Sequence, residues 1–154
     1  MTGSFDERVA ALESRIGHLF ADRSLLREAL THRSYRHEHP QESVDNERLE
    51  YLGDALIQSL VSETLFKHFR DAREGELTKR RADLVRESSL SECAIELQLG
   101  EYILLGRGED NSGGRDKRRL LASAFEALVA ALYLDGGYTK SKDLVADLLG
   151  PRLT

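Results

Sequence analysis

Tryptophan is absent from this 154-residue chain, cysteine occurs once, proline twice, and aromatic residues make up 6%. With Cys93 as the lone cysteine, an intrachain disulfide is excluded. Cys93 lies in an apolar helical pattern and reads as a buried thiol in a reducing compartment rather than a reactive one. The two prolines, Pro40 and Pro151, leave long stretches free to be helical. Abundant Leu, Ala, Glu and Arg favour that state. No apolar run reaches the ~20 residues that a membrane span needs; the longest, Leu120 to Leu134, carries Glu126. The first residues show no basic segment followed by an apolar run, so no secretory signal is read there. Period-two alternation, the mark of a half-buried strand, is missing over any useful length. Together these absences predict an all-α protein of the cytoplasm, without a membrane segment.

What is present is an ordinary globular composition, 40% apolar and 32% charged. The length suits one domain over residues 1–154, with one hydrophobic core. The net charge of -5 speaks against a uniformly basic, nucleic-acid-binding surface. It leaves room for an acidic site beside a separate basic patch.

Phe5, Val9, Leu12 and Ile16 recur at helical spacing and predict a first helix ending near Gly17. Ser24 is the candidate cap of a second. Tyr35 to Ser43, polar and containing Pro40, reads as a loop. A long helix is expected from about Val44 to His68, after which Arg70 to Gly75 forms a loop. Helices follow over roughly Leu77 to Val85 and Leu90 to Leu97. Gly106 to Gly114, rich in breakers, reads as a surface loop. A very apolar helix spans about Lys117 to Leu134 and is therefore central. Gly136 and Gly137 stop it, and Thr139 is the candidate cap of a last helix ending before Pro151.

On the long helix, Glu47, Glu50 and Asp54 share one face with Tyr51 beside them, because residues three, four and seven apart are stacked. By spacing alone, a solvated acidic stripe is the commoner explanation. The alternative is that Glu50 and Asp54 together bind a hard cation through oxygen. Glu126 is more telling, as the only charge in Leu120 to Leu134. A carboxylate near the core must be protonated, paired or metal-bound. An arginine partner and a metal ion both satisfy that demand. Three converging acids favour the metal, since without a cation they repel one another.

Asn46-Glu47-Arg48-Leu49-Glu50-Tyr51-Leu52-Gly53-Asp54-Ala55 resembles the signature segment of the ribonuclease III family. Further blocks resemble that family in the same order: Thr31 to Ser34, Glu74 to Leu77 with Arg81 to Val85, Leu99 to Glu109, and Ser112 to Leu128. The resemblance covers nearly the whole chain. It implies the helical nuclease fold of that family, a symmetric homodimer, and hydrolysis of double-stranded RNA. It implies staggered products with 5′ phosphates and 3′ hydroxyls, and roles in rRNA and mRNA processing. By position, Glu50, Asp54 and Glu126 match metal-binding carboxylates, with Asp54 and Glu126 catalytic. Magnesium is the implied ion, with manganese as substitute. Glu47 and Glu74 match acidic positions linked to RNA contact, and Tyr51 matches an aromatic that plugs into the partner subunit.

Two departures stand out. Ser123 occupies the position of a metal-binding aspartate, and a neutral hydroxyl is a weaker ligand for a hard cation. Weaker magnesium binding is the expectation. The double-stranded-RNA-binding domain that usually follows the nuclease domain is also absent from this chain. Arg107, Arg115, Lys117 and Arg118, with Arg119, flank the glycine-rich segment and are candidates for contact with RNA phosphates or 2′-hydroxyls. Solvated surface charge explains them equally well. His32, His37 and His39 lack a cysteine at ligand spacing, so a zinc site is not expected. Two other readings remain: a double-stranded-RNA-binding dimer that cuts poorly because of Ser123, and a helical scaffold without an RNA role.

Overall fold

The computed structural model describes residues 4–153. Along them run α1 (Phe5–Ile16), α2 (Arg23–Ala29), α3 (Arg33–Glu38), α4 (Glu47–His68), α5 (Glu74–Val85), α6 (Glu87–Glu96), α7 (Arg107–Asn111), α8 (Arg118–Gly136) and α9 (Tyr138–Leu149). Among the described residues there is no strand, only an isolated parallel bridge between Thr31 and Leu104. The all-α expectation holds.

Helix α8 is the centre of the molecule. Its Ala124, Phe125 and every residue from Ala127 to Leu132 are fully buried, because the segment offers water almost nothing polar. Helices α2, α4, α6 and α9 pack around it. Each large apolar side chain buried there contributes roughly 1.5–3 kcal/mol. Alanines on α8 let its neighbours approach closely, and α4 exploits this with Gly53. A methyl group at position 53 would overlap the backbone carbonyl of Glu126. The missing side chain therefore sets how closely α4 crosses α8. At the far end of α8, Asp135 accepts the backbone N–H groups of Ala21 and Asp22, at 3.0 and 2.9 Å, tying the α1–α2 turn to the spine.

Several local expectations are corrected. Asp22, not Ser24, caps α2; its carboxylate accepts the Ser24 N–H at 3.0 Å. Tyr35 to Ser43 is not all loop, because α3 runs through Arg33–Glu38. His32 caps α3 through Nδ1, which accepts the Ser34 N–H at 3.1 Å. Nor is Gly106 to Gly114 an open loop. It contains α7 and is pinned to α3: the Gly106 N–H donates to Ser34 Oγ and the Arg107 N–H to Glu38 Oε2, both at 2.8 Å. Helix α4 starts at Glu47 rather than Val44, with the Glu47 N–H bonded to Asp45 Oδ1 at 3.1 Å. Helix α5 starts at Glu74 and α6 at Glu87, both earlier than their first leucines suggest. Thr139 lies inside α9, whose N-cap position is Gly137 with no side-chain cap. Cys93 is fully buried, and burial pushes its thiol up to about 12, so it is inert.

Candidate active site at the crossing of two helices

The crossing of α4 and α8 brings two sequence-distant acidic segments together. Helix α4 supplies Glu50 and Asp54 one turn apart, and α8 supplies Ser123 and Glu126 on the facing turn. The close approach at Gly53 makes them neighbours. The Glu126 carboxyl is pushed up to about 8, first by burial, then by Asp54 and then by Glu50. Glu126 has no arginine or lysine partner among the ion pairs of the described residues, so the ion-pair explanation for it falls away. Ser123 Oγ donates to Glu50 Oε2 at 2.7 Å. Glu50 is thus tied to Ser123 across the crossing, while Asp54 and Glu50 both act on Glu126.

The donor set is all oxygen, which suits a hard divalent cation. Burial raises the Glu126 carboxyl most, and Asp54 and Glu50 add to it, so a cation placed among them would relieve their mutual repulsion. As the side chains stand, no group of three or more acidic, histidine or cysteine residues is arranged around a common point among the described residues.

A family model described as "Ribonuclease-III-like" matches residues 22–153. The chain belongs to the ribonuclease III family. Among curated members, Ribonuclease 3 of Caldanaerobacter subterraneus subsp. tengcongensis is 49% identical over 89% of this chain and 60% of its own length. Ribonuclease 3 of Geobacter sulfurreducens is 49% identical over 92% of this chain and 58% of its own. The chain thus spans about three fifths of the length of these relatives. Among solved structures, the nuclease domain of Campylobacter jejuni ribonuclease III superposes with a TM-score of 0.86 at 39% identity, covering 93% of this chain and 96% of that one. Dicer from Pichia stipitis shares the fold at a TM-score of 0.65 and 26% identity, over 88% of this chain and 57% of that one.

Within this ribonuclease III fold the other candidate residues are scattered around the carboxylates. Glu47 is exposed one turn before Glu50. Glu74 opens α5, where Thr78 Oγ1 donates to it at 3.2 Å; no hydrogen bond or ion pair joins it to the cluster among the described residues. The Arg115 guanidinium is committed to Asp110 and to the carbonyls of Gly100 and Ile103, at 2.7–3.3 Å, and so braces the α7 segment. Lys117 is paired with Glu109 at 2.6 Å, and Arg118 donates to Ser91 Oγ at 3.1 Å. Arg107 is exposed. Tyr51 stands 82% exposed on α4 beside a groove of about 650 Å³ walled by Leu25, Leu49, Leu52 and Leu134.

Sequence reasoning quoted Gly53 within the signature, and His32 and Arg33 within the Thr31 to Ser34 block, without assigning them a task in the site; Arg119 it named beside the candidates for RNA contact. Gly53 could have been found from its place between two acids on one turn, had the crossing partner been known. His32 had no signal of its own, because its capping bond and its position opposite Glu50 are tertiary facts.

Proposed function

We propose that this chain is the nuclease part of a divalent-metal-dependent endonuclease acting on double-stranded RNA. The observation that carries the reading is the meeting of Glu50, Asp54 and Glu126 at the α4–α8 crossing, in a chain of the ribonuclease III family. Glu50, Asp54 and Glu126 would hold the cation, and Ser123 would steady Glu50. Magnesium, or manganese in its place, supplies charge neutralisation at the scissile phosphate and acidifies a water molecule. The carboxylates would orient that water. Products with 5′ phosphates, 3′ hydroxyls and staggered ends fit two such sites related by a two-fold axis.

A second copy of the chain is the proposed cover for the Tyr51 groove. An exposed aromatic next to an apolar trough is costly in water and suits a self-complementary dimer contact. Arg107, Lys117 and Arg118 would lie along the duplex backbone, with Glu47 and Glu74 near the cut strands. Processing of structured rRNA and mRNA in the cytoplasm is the setting proposed. Among the described residues, no helix is long and apolar enough to cross a membrane.

One observation favours a second reading. Ser123 is neutral and already bonded to Glu50, which favours a duplex-binding dimer that cuts slowly. End-labelled long RNA duplex, incubated in magnesium and in EDTA, separates the two. Paired, offset cuts confined to the magnesium arm support the nuclease. Duplex that is retained in a binding assay yet uncut in magnesium and manganese overturns it in favour of the binding dimer.

A further inference from the structure

Beside the carboxylate cluster lies a recess of about 260 Å³ between α4, the start of α3 and the start of α8, walled by His32, Arg33, Glu47, Glu50, Lys117 and Arg119. We propose that this recess seats a backbone phosphate of the RNA next to the scissile one, held by the Nε2–H of neutral His32 and by Arg33 and Arg119. This rests on the nuclease reading above, and adds a binding subsite to it.

The ring of His32 is oriented by its Nδ1 edge. Nδ1 accepts the Ser34 backbone N–H at 3.1 Å and lies 2.8 Å from Ser34 Oγ. Ser34 Oγ accepts the Gly106 N–H, so its own proton is free to go to Nδ1. A nitrogen that accepts a backbone N–H is unprotonated, and the ring proton therefore resides on Nε2. Among the described residues Nε2 makes no hydrogen bond, yet it is not a buried unsatisfied atom, so it is accessible on a side chain that lines the recess. Burial, outweighing the pull of Glu109, lowers the His32 pKa. Gly106 locks the arrangement, since a Cβ there would come within 2.6 Å of the Ser34 carbonyl oxygen.

The charges decide the ligand. Lys117 is neutralised by Glu109, whereas Arg33 and Arg119 have no anionic partner among the ion pairs of the described residues. Glu47 and Glu50 share the recess, so a free phosphate dianion is repelled. A phosphodiester carries a single charge and is delivered by the duplex to which it is joined, which overcomes that repulsion. Glu50 belongs to both the recess and the carboxylate cluster, which places the phosphate beside the cut.

The test exploits the two edges of the histidine. In His32→Asn the amide oxygen replaces Nδ1 as the cap acceptor, while the Nε2 donor is lost. Duplex RNA binding is read by anisotropy on a Glu126→Gln background in calcium, across a salt series, with thermal melting as a control. His32→Asn is expected to melt like its parent and to bind about ten-fold more weakly, with an unchanged salt slope. Arg33→Ala and Arg119→Ala are each expected to reduce the salt slope by about one. If all three variants bind as the parent does, while the unmutated chain still cuts duplex RNA, the subsite is wrong and the nuclease reading stands. If the unmutated chain neither binds nor cuts the duplex, both fall.

Discussion

Ser123 and Glu126 lie three residues apart on α8 and do opposite things to the charge of the site. Ser123 removes one negative charge from it and spends its proton on Glu50. Replacing it by aspartate restores a charged oxygen. Ser123→Asp is expected to lower the magnesium concentration for half-maximal cleavage by about ten-fold. An unchanged magnesium dependence contradicts the weaker-site account. Glu126 sets the behaviour of the metal-free protein with pH. Its carboxyl is raised to about 8 from an ordinary 4.5, mainly by burial and then by Asp54. Between those values the folded state binds more protons at this site than the unfolded chain does, so stability falls as pH rises through the window. In EDTA, the wild-type melting temperature is expected to drop between about pH 5 and about pH 9 by more than that of Glu126→Gln. Parallel pH profiles from calorimetry would show that Glu126 is not the group responsible.

At the scale of helices, the site exists because two of them cross without a side chain between them. Gly53→Ala forces the α4 backbone away from the Glu126 carbonyl. It is expected to cost roughly 1–3 kcal/mol in denaturant unfolding and to lower cleavage further, by parting the carboxylates. Wild-type stability in that variant would mean that the crossing is looser than described. The same crossing marks the limit of what could be read beforehand. Glu50 and Asp54 were legible from their one-turn spacing, and Glu126 from its isolation in an apolar run. The Ser123–Glu50 bond and the task of Gly53 depend on which turns meet, and periodicity carries no such information. The misread segments share a cause. Helices α3 and α7 are short and polar, with no apolar stripe to announce them. They are held by a histidine cap and by bonds that the Gly106 and Arg107 N–H groups donate to Ser34 and Glu38, which are far away in sequence.

For the whole molecule, the exposed Tyr51 and the groove ending at Leu134 are the surface on which the proposed second copy would sit. Tyr51→Glu and Leu134→Lys are expected to shift the protein to a monomer in sedimentation equilibrium, with α-helical content intact. Unaltered mass in both variants would place the dimer contact elsewhere. The central claim is that the carboxylates of α4 and α8 cut duplex RNA with a divalent cation, and it is tested most directly by Glu126→Gln. Because the Glu126 carboxyl is raised to about 8, it is uncharged near neutral pH in the metal-free chain, and glutamine copies its resident form. The variant should therefore fold and melt like wild type at that pH. Compared side by side on a long RNA duplex in magnesium, wild type is predicted to give offset cuts on both strands and Glu126→Gln none. Equal cleavage by the two proteins would contradict the account.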